Sequence, residues 1–465
     1  LTIVFHIKHT EQGTYVTTLD SPDQGTKDIK TETTSFQDVS IRSFDNKEFI
    51  RVIAGFALVI AGVIAPPIMY AAAIYGVAML LLCRDEDTIL SALFSWLSIS
   101  PIFKFSPNAT SIFTYLEIIS IVKLFIINRK IEKQLFGVLS LYMVYVLIGS
   151  KLDGTTYIKT IVLPIIVYLT VRNMDYARLS KISGYYILGV FIGSLIGVCR
   201  AWIPNINSFI AYKSVNLSYS AGTGYESAIR FSGLWGDPNY YSIHLLLVMA
   251  ICILFYIRKQ IKIISFSCLF GGAIVFGAMT GSKSFILMAA IVTFFFVISL
   301  IYNRQFSRMI IVLSIIIITL LLMYTGKIDI FSTVLTRFTN VSTGFARSGL
   351  TTGRTELLQY YLHLFIEDPI KLLVGNGIGI GHSYRPPHNT LIDFLDIVGV
   401  FGTALFGAVI VRIYKLTPSD GYGSIFILLI VPMFFFLSMF YSIDFCFELA
   451  LILCFLRMGS VPERI

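Results

Sequence analysis

Residues 284–302 read SFILMAAIVTFFFVISLIY, a run without a single charged side chain, placed between Lys283 and Arg304. As a helix it would rise roughly 28 Å, close to the ~30 Å hydrocarbon core of a bilayer. Apolar runs of this kind recur near 50–65, 67–83, 88–103, 110–128, 134–150, 155–171, 183–203, 239–257, 262–280, 308–325, 391–413, 422–440 and 443–457. The first two are divided only at Ala65-Pro66-Pro67. Together they predict an all-α polytopic integral membrane protein with 12–14 transmembrane helices.

The rest of the composition agrees. Of 465 residues, 56% are hydrophobic and 14% charged, with a mean hydropathy of +0.78. Soluble domains carry about a quarter charged residues, so an aqueous enzyme and a disordered chain are both poor fits. The cysteines (Cys83, Cys199, Cys252, Cys268, Cys446, Cys454) lie in or beside apolar runs, with no CxxC pair. Neither a disulfide scaffold nor a zinc site is indicated. The net charge of +9 fits basic loops on one side of a membrane better than a nucleic-acid partner.

Residues 1–48 are polar and Thr/Asp/Lys-rich, and are expected to form a flexible cytoplasmic tail ahead of a membrane domain over 49–465. With that tail inside, one set of connections carries Arg129/Lys130/Lys133, Arg172/Arg178/Lys181, Arg258/Lys259/Lys262, Arg304/Arg308, Arg412/Lys415 and Arg457/Arg463. These are the short basic loops expected on the cytoplasmic side. Two long loops, at about 204–238 and 326–390, then fall on the extracytoplasmic side.

The first long loop ends in RFSGLWGDPNYYS, from Arg230. Asp237-Pro238 is a strong helix start, because the carboxylate caps and proline suits the first helical position. Asn239 follows as a polar group, and His244 lies about two turns further on the face of Asp237. Taken alone, Asp237 is a cap, Arg230 a surface cation and His244 a packed core group. In the second loop, SGLTTGRTELLQYYLHLF predicts a short amphipathic helix from Gly353-Arg354, with Leu357, Leu358, Tyr361, Leu364 and Phe365 as its apolar stripe. Its free N–H groups and Arg354 suit phosphate oxygens. A solvated surface arginine is the bland alternative.

Next comes GNGIGIGHSYRPPHNTLIDFLDIVGVFG, from Gly375 to Gly402. Gly375, Gly377, Gly379 and Gly381 lack the GxGxxG spacing of a nucleotide loop, and are read as tight turns with close backbone approach. Asn389, Asp393 and Asp396 share a helical face entering an apolar run. Each carboxylate would cost ~2.5–3.5 kcal/mol at a membrane helix centre, so they should face a polar pocket or a base. Asp444 and Glu448, Lys283 in TGSKSF, and Arg200 recur near the same outer level, whereas Glu117 falls midway along its segment. The cations Arg230, Lys283, Arg354 and Arg385, with His388 beside proline, suit a substrate that brings negative charge and a leaving group. A lipid-linked diphosphate sugar meets both conditions: the arginines would stabilise the departing diphosphate and His388 would accept a hydroxyl proton.

The three blocks RFSGLWGDPN, TGSKSF and TGRTELLQ…GNGIGIGHSYRPPHNTLIDFLDIVGVFG occur in the order seen in the O-antigen polymerase and O-antigen ligase superfamily, which this chain resembles over roughly 50–460. Where that family places Arg in the middle block, Lys283 stands here, keeping the charge without the bidentate fork. The resemblance implies a GT-C-like glycosyltransferase of the bacterial inner membrane, with its active site facing the periplasm. It uses undecaprenyl-diphosphate-linked glycan as donor and acceptor, without metal or other cofactor. By position, Arg230, Arg354 and His388 would be catalytic, and Arg230, Lys283, Arg354 and Arg385 would bind diphosphate. Asp237, Asn239, Asn389, Asp393 and Asp396 would line the polar pocket. A polymerase of O-antigen, capsule or exopolysaccharide repeat units, with a chain-length regulator as a further partner, is the favoured member. A ligase onto lipid A–core is the alternative, and a flippase or other transporter the alternative of another class.

Overall fold

A computed structural model of the chain describes residues 46–127, 131–149, 164–200, 202–210, 231–325, 354–376, 387–418, 424–436 and 443–458. Every regular element among them is helical. In chain order these are α1 Asn46–Ile64, α2 Pro66–Leu82, α3 Glu86–Trp96, α4 Ile112–Ile127, α5 Lys133–Gly149, α6 164–171, α7 Tyr176–Cys199 and α8 Pro204–Ile210. There follow α9 Pro238–Ile257, α10 Ile263–Met279, α11 Lys283–Tyr302, α12 Phe306–Thr325, α13 Arg354–Glu367, α14 Pro369–Val374, α15 Thr390–Leu416, α16 Ile425–Leu428 and α17 Ile443–Met458.

Short polar side chains start several of these helices, where the backbone N–H groups lack partners. Asp85 caps α3 and Asp175 caps α7, the latter accepting from Arg178 N at 2.8 Å. Among the described residues, four helices can cross a membrane by length and composition: α7, α9, α11 and α15. The described residues are thus all-helical, and their apolar helices fit a membrane-embedded protein. α9 is the hub, with every residue from Tyr241 to Ile257 buried. Peripheral helices turn large apolar side chains outward instead, such as Phe294 on α11 and Ile310, Ile317 and Leu321 on α12. Such exteriors suit lipid, where backbone groups are satisfied within each helix.

One end of the bundle collects the basic connections. Lys181 pairs with buried Glu48 at 2.6 Å, Arg178 with Glu86 at 2.9 Å, and Arg412 with Glu132 at 2.8 Å. Arg258, closing α9, donates to Met458 O of α17 at 3.0 Å and stacks on Tyr176. Arg457 lies over Tyr414 of α15. α9, α17 and the second half of α15 therefore run parallel, all finishing at this end.

The apolar run expected at 391–413 is not one straight rod. Gly399 adopts φ 67, ψ −175 inside α15. The rings of Phe394 and Phe406 lie 4.7 Å apart, although a straight helix would separate those positions by roughly 18 Å. The half-helix Thr390–Val398 therefore folds back at Gly399.

Other boundaries differ for local reasons. Residues 46–48 belong to α1 rather than to a tail, because Glu48 is buried against Lys181. The run at 88–103 stops as an α-helix at Trp96 and continues as one 3-10 turn, Leu97–Ile99, ahead of Pro101. The run at 422–440 is broken into α16 and a 3-10 segment, Val431–Phe436. Pro432 would clash with the carbonyl of Leu428, where α16 ends. Of the segment expected at 155–171, residues 155–163 lie outside the described residues, as does the tail 1–45.

Candidate functional site

The end opposite the basic connections carries the first residues of α9, α11 and α17 and the Gly399 fold of α15. There the first two sequence blocks meet. Asp237 caps α9, accepting from Asn239 N at 2.6 Å, with Pro238 at the first helical position. Ser282 caps α11 and its Oγ donates to Asn239 Oδ1 at 3.1 Å. Phe231 N also bonds Met279 O at 3.1 Å. Lys283, the first residue of α11, is half-buried beside this junction. Asn239 and Lys283 are thereby brought within one hydrogen-bonded neighbourhood. Arg200 sits at the C-cap of α7, half-buried. Arg230, Arg385 and the side chains of Arg354 and Asp444 lie outside the described residues; the backbone of Arg354 opens α13, where the sequence placed it.

The third block forms its own layer on α15. Asn389 is a helix cap, its Oδ1 accepting from Leu391 N at 3.0 Å and Ile392 N at 3.2 Å. His388, half-buried, precedes it at φ 49. Left-handed backbone is uncommon outside glycine. Lys259 and Arg304 also adopt it, but each closes a helix, with Gln260 N bonding Phe255 O and Gln305 N bonding Leu300 O. His388 instead opens one, so no such closing motif accounts for its conformation. Asp393 is fully buried and Asp396 is 5% exposed. Leu357, Tyr361 and Phe365 of α13 are buried as the stripe predicted, with Tyr361 and Phe365 packing on Ile392. Leu358 turns outward, at 40% exposure. Burial, reinforced by the carboxylates of Asp396 and Asp393, raises the Tyr361 hydroxyl above its ordinary value.

Several contacts around α15 escaped the sequence. Asn376, hidden in the glycine run, donates from Nδ2 to Asp396 Oδ1 at 2.6 Å and from its backbone N to Asp396 O at 2.7 Å. The Tyr145 hydroxyl of α5 lies 3.0 Å from Val374 O and 2.9 Å from Val398 O, at the Gly399 fold. A Cβ on Gly399 would strike Leu373 O, and one on Gly375 would strike Ile397 O. The close backbone approach read from the glycines is thus made by Gly375; Gly377, Gly379 and Gly381 lie outside the described residues.

Deeper in the bundle, His244 and Glu448 are both fully buried, with Nδ1 to Oε1 at 3.2 Å. Tyr186 Oη lies 2.8 Å from the same nitrogen and the Trp235 ring packs 4.3 Å from the imidazole. Their pairing needed the adjacency of α9 and α17, which no local pattern carries. Glu117 is likewise buried, on α4. Among the described residues, no three His, Cys, Asp or Glu side chains assemble into a metal site. Compared with protein-family models, curated proteins and solved structures, the chain matches none of them.

Proposed function

We propose that this protein is a membrane glycosyltransferase that polymerises undecaprenyl-diphosphate-linked oligosaccharide repeat units at the extracytoplasmic face of a bacterial inner membrane. In this reading the chain has 12–14 crossings and a GT-C-like architecture, with long loops at about 204–238 and 326–390. The basic end of the bundle faces the cytoplasm, in keeping with the positive-inside rule. The observation that carries the reading is the junction of Asn239 with Ser282, which places Lys283 at the end opposite those basic loops.

Diphosphate would be held there by Lys283 with Arg230, Arg354 and Arg385, and its charge stabilised as it departs. His388, in the turn that leads into the half-helix, would take the proton of the acceptor hydroxyl as the new glycosidic bond forms. Asn389 fixes the turn on which His388 sits. Asp396 ties that half-helix to Asn376, and Asp393 is buried one turn before Asp396.

Purified protein in liposomes with synthetic lipid-linked repeat units should give a ladder of products without any other component. Arg230→Ala, Arg354→Ala and His388→Ala should each abolish long chains and leave single repeats. A product that forms only when lipid A–core is added would make the protein a ligase. No glycosyl transfer with either acceptor would overturn the reading.

A further inference from the structure

We propose that Asn376 and Asp396 are positioning residues: together they lock α13, α14 and the first half of α15 into one body, which carries the start of α13 and the His388 turn as a unit. The inference rests on the site reading above and adds to it the part that holds Arg354 and His388 in a fixed relation.

Three independent contacts define the body. The side chain and backbone of Asn376 both donate to Asp396, at 2.6 and 2.7 Å, so position 376 is fixed at two points on the half-helix. Tyr361 and Phe365 of α13 pack on Ile392 with Leu372 and Leu395, forming a small apolar core separate from the main one. Gly375 and Gly399 interlock backbone to backbone at the fold, leaving no room for a Cβ on either.

The body meets the remaining bundle at the fold. Tyr145 Oη lies against a carbonyl from each side of it, Val374 O and Val398 O. Phe394 rests on Phe406 in the second half of α15. A hydrogen bond to a carboxylate at 2.6 Å is of the stronger, charge-assisted kind. Losing it frees α14 to shift against the half-helix, and a misplacement of about 1 Å near a reacting group can cost on the order of a hundredfold in rate.

Two readouts test this in the full-length protein. Asn376→Leu keeps the side-chain volume but removes the donor, and the double variant Asn376→Asp/Asp396→Asn restores an amide–carboxylate pair in reverse. In the ladder assay, N376L should lower kcat at least tenfold with little change in KM, and the reversed pair should recover most of it. Hydrogen exchange in detergent, without substrate, should show segments 369–376 and 390–398 loosening together in N376L and tightening together in the reversed pair. Wild-type exchange in N376L, loosening of one segment alone, or a reversed pair no better than N376L would overturn the clamp. A wild-type protein that makes no ladder would count against the glycosyltransferase reading instead, with exchange still deciding the clamp.

Discussion

The Ser282 hydroxyl donates to the Asn239 carboxamide at 3.1 Å, joining positions 43 residues apart in the chain. Because Ser282 caps α11 and Asn239 lies in the first turn of α9, two parallel helices begin side by side. Lys283 is the first residue beyond that contact. Its backbone is therefore fixed by the cap of its own helix rather than carried on a long loop.

Charge without a fork should suffice at this position. Lys283→Arg is expected to keep most polymer formation, whereas Lys283→Ala should lower the initial rate by about a hundredfold, the scale seen when one preorganised donor is removed. Product ladders from reconstituted protein measure both.

Gly399 should be the least replaceable glycine of α15. Its φ of 67 and the approach of Leu373 O leave a side chain both strained and obstructed. Gly399→Ala should destabilise by about 1–3 kcal/mol or more. Gly407, on the same helix, has nothing within 4 Å of its added Cβ. Gly407→Ala should leave the melting temperature in detergent unchanged or slightly raised.

His244 and Glu448 are both fully buried at 3.2 Å. Truncating one partner of such a pair leaves the other without its counterpart, at a cost of about 3–5 kcal/mol. Glu448→Ala should therefore lower the detergent melting temperature markedly, while Glu448→Gln, which keeps an acceptor beside Nδ1, should lower it much less.

The Arg412–Glu132 pair predicts an acid response. Hydrogen bonds from Arg412 lower the Glu132 carboxyl from 4.5 to about 2. A depressed carboxylate contributes stability that is complete above its unfolded value and is lost as pH falls toward its folded one. The contribution should fade between 4.5 and about 2. Melting curves of Glu132→Gln should lack that component of the wild-type acid response.

Much of the helical framework was legible because lipid-facing and core helices alike are written as long apolar runs. α9 was expected at 239–257 and spans Pro238–Ile257. What hydropathy cannot see is backbone chemistry. Pro432 breaks its run by removing a donor, and at the Gly399 fold the backbone of Leu373–Gly375 approaches too closely for a side chain. The cost of carboxylates in an apolar segment marked Asp393 and Asp396 as groups that need polar surroundings, and Asp396 has Asn376 beside it. Asn376, which follows α14 within the glycine run, was not recognisable as the partner of Asp396. His244 and Glu448 stood out separately, and only the packing of α9 beside α17 shows that they belong together.

The most direct measurement is photo-crosslinking with an undecaprenyl diphosphate analogue whose photoreactive group sits beside the diphosphate, followed by peptide mapping. Both ends of the bundle are cationic, so the outcome is discriminating. The expected adducts fall on residues 231–239, 280–284 and 387–390, and diminish in Lys283→Ala. Adducts confined to the opposite end, around Arg172, Arg258 and Arg412, would contradict a diphosphate site beside Lys283.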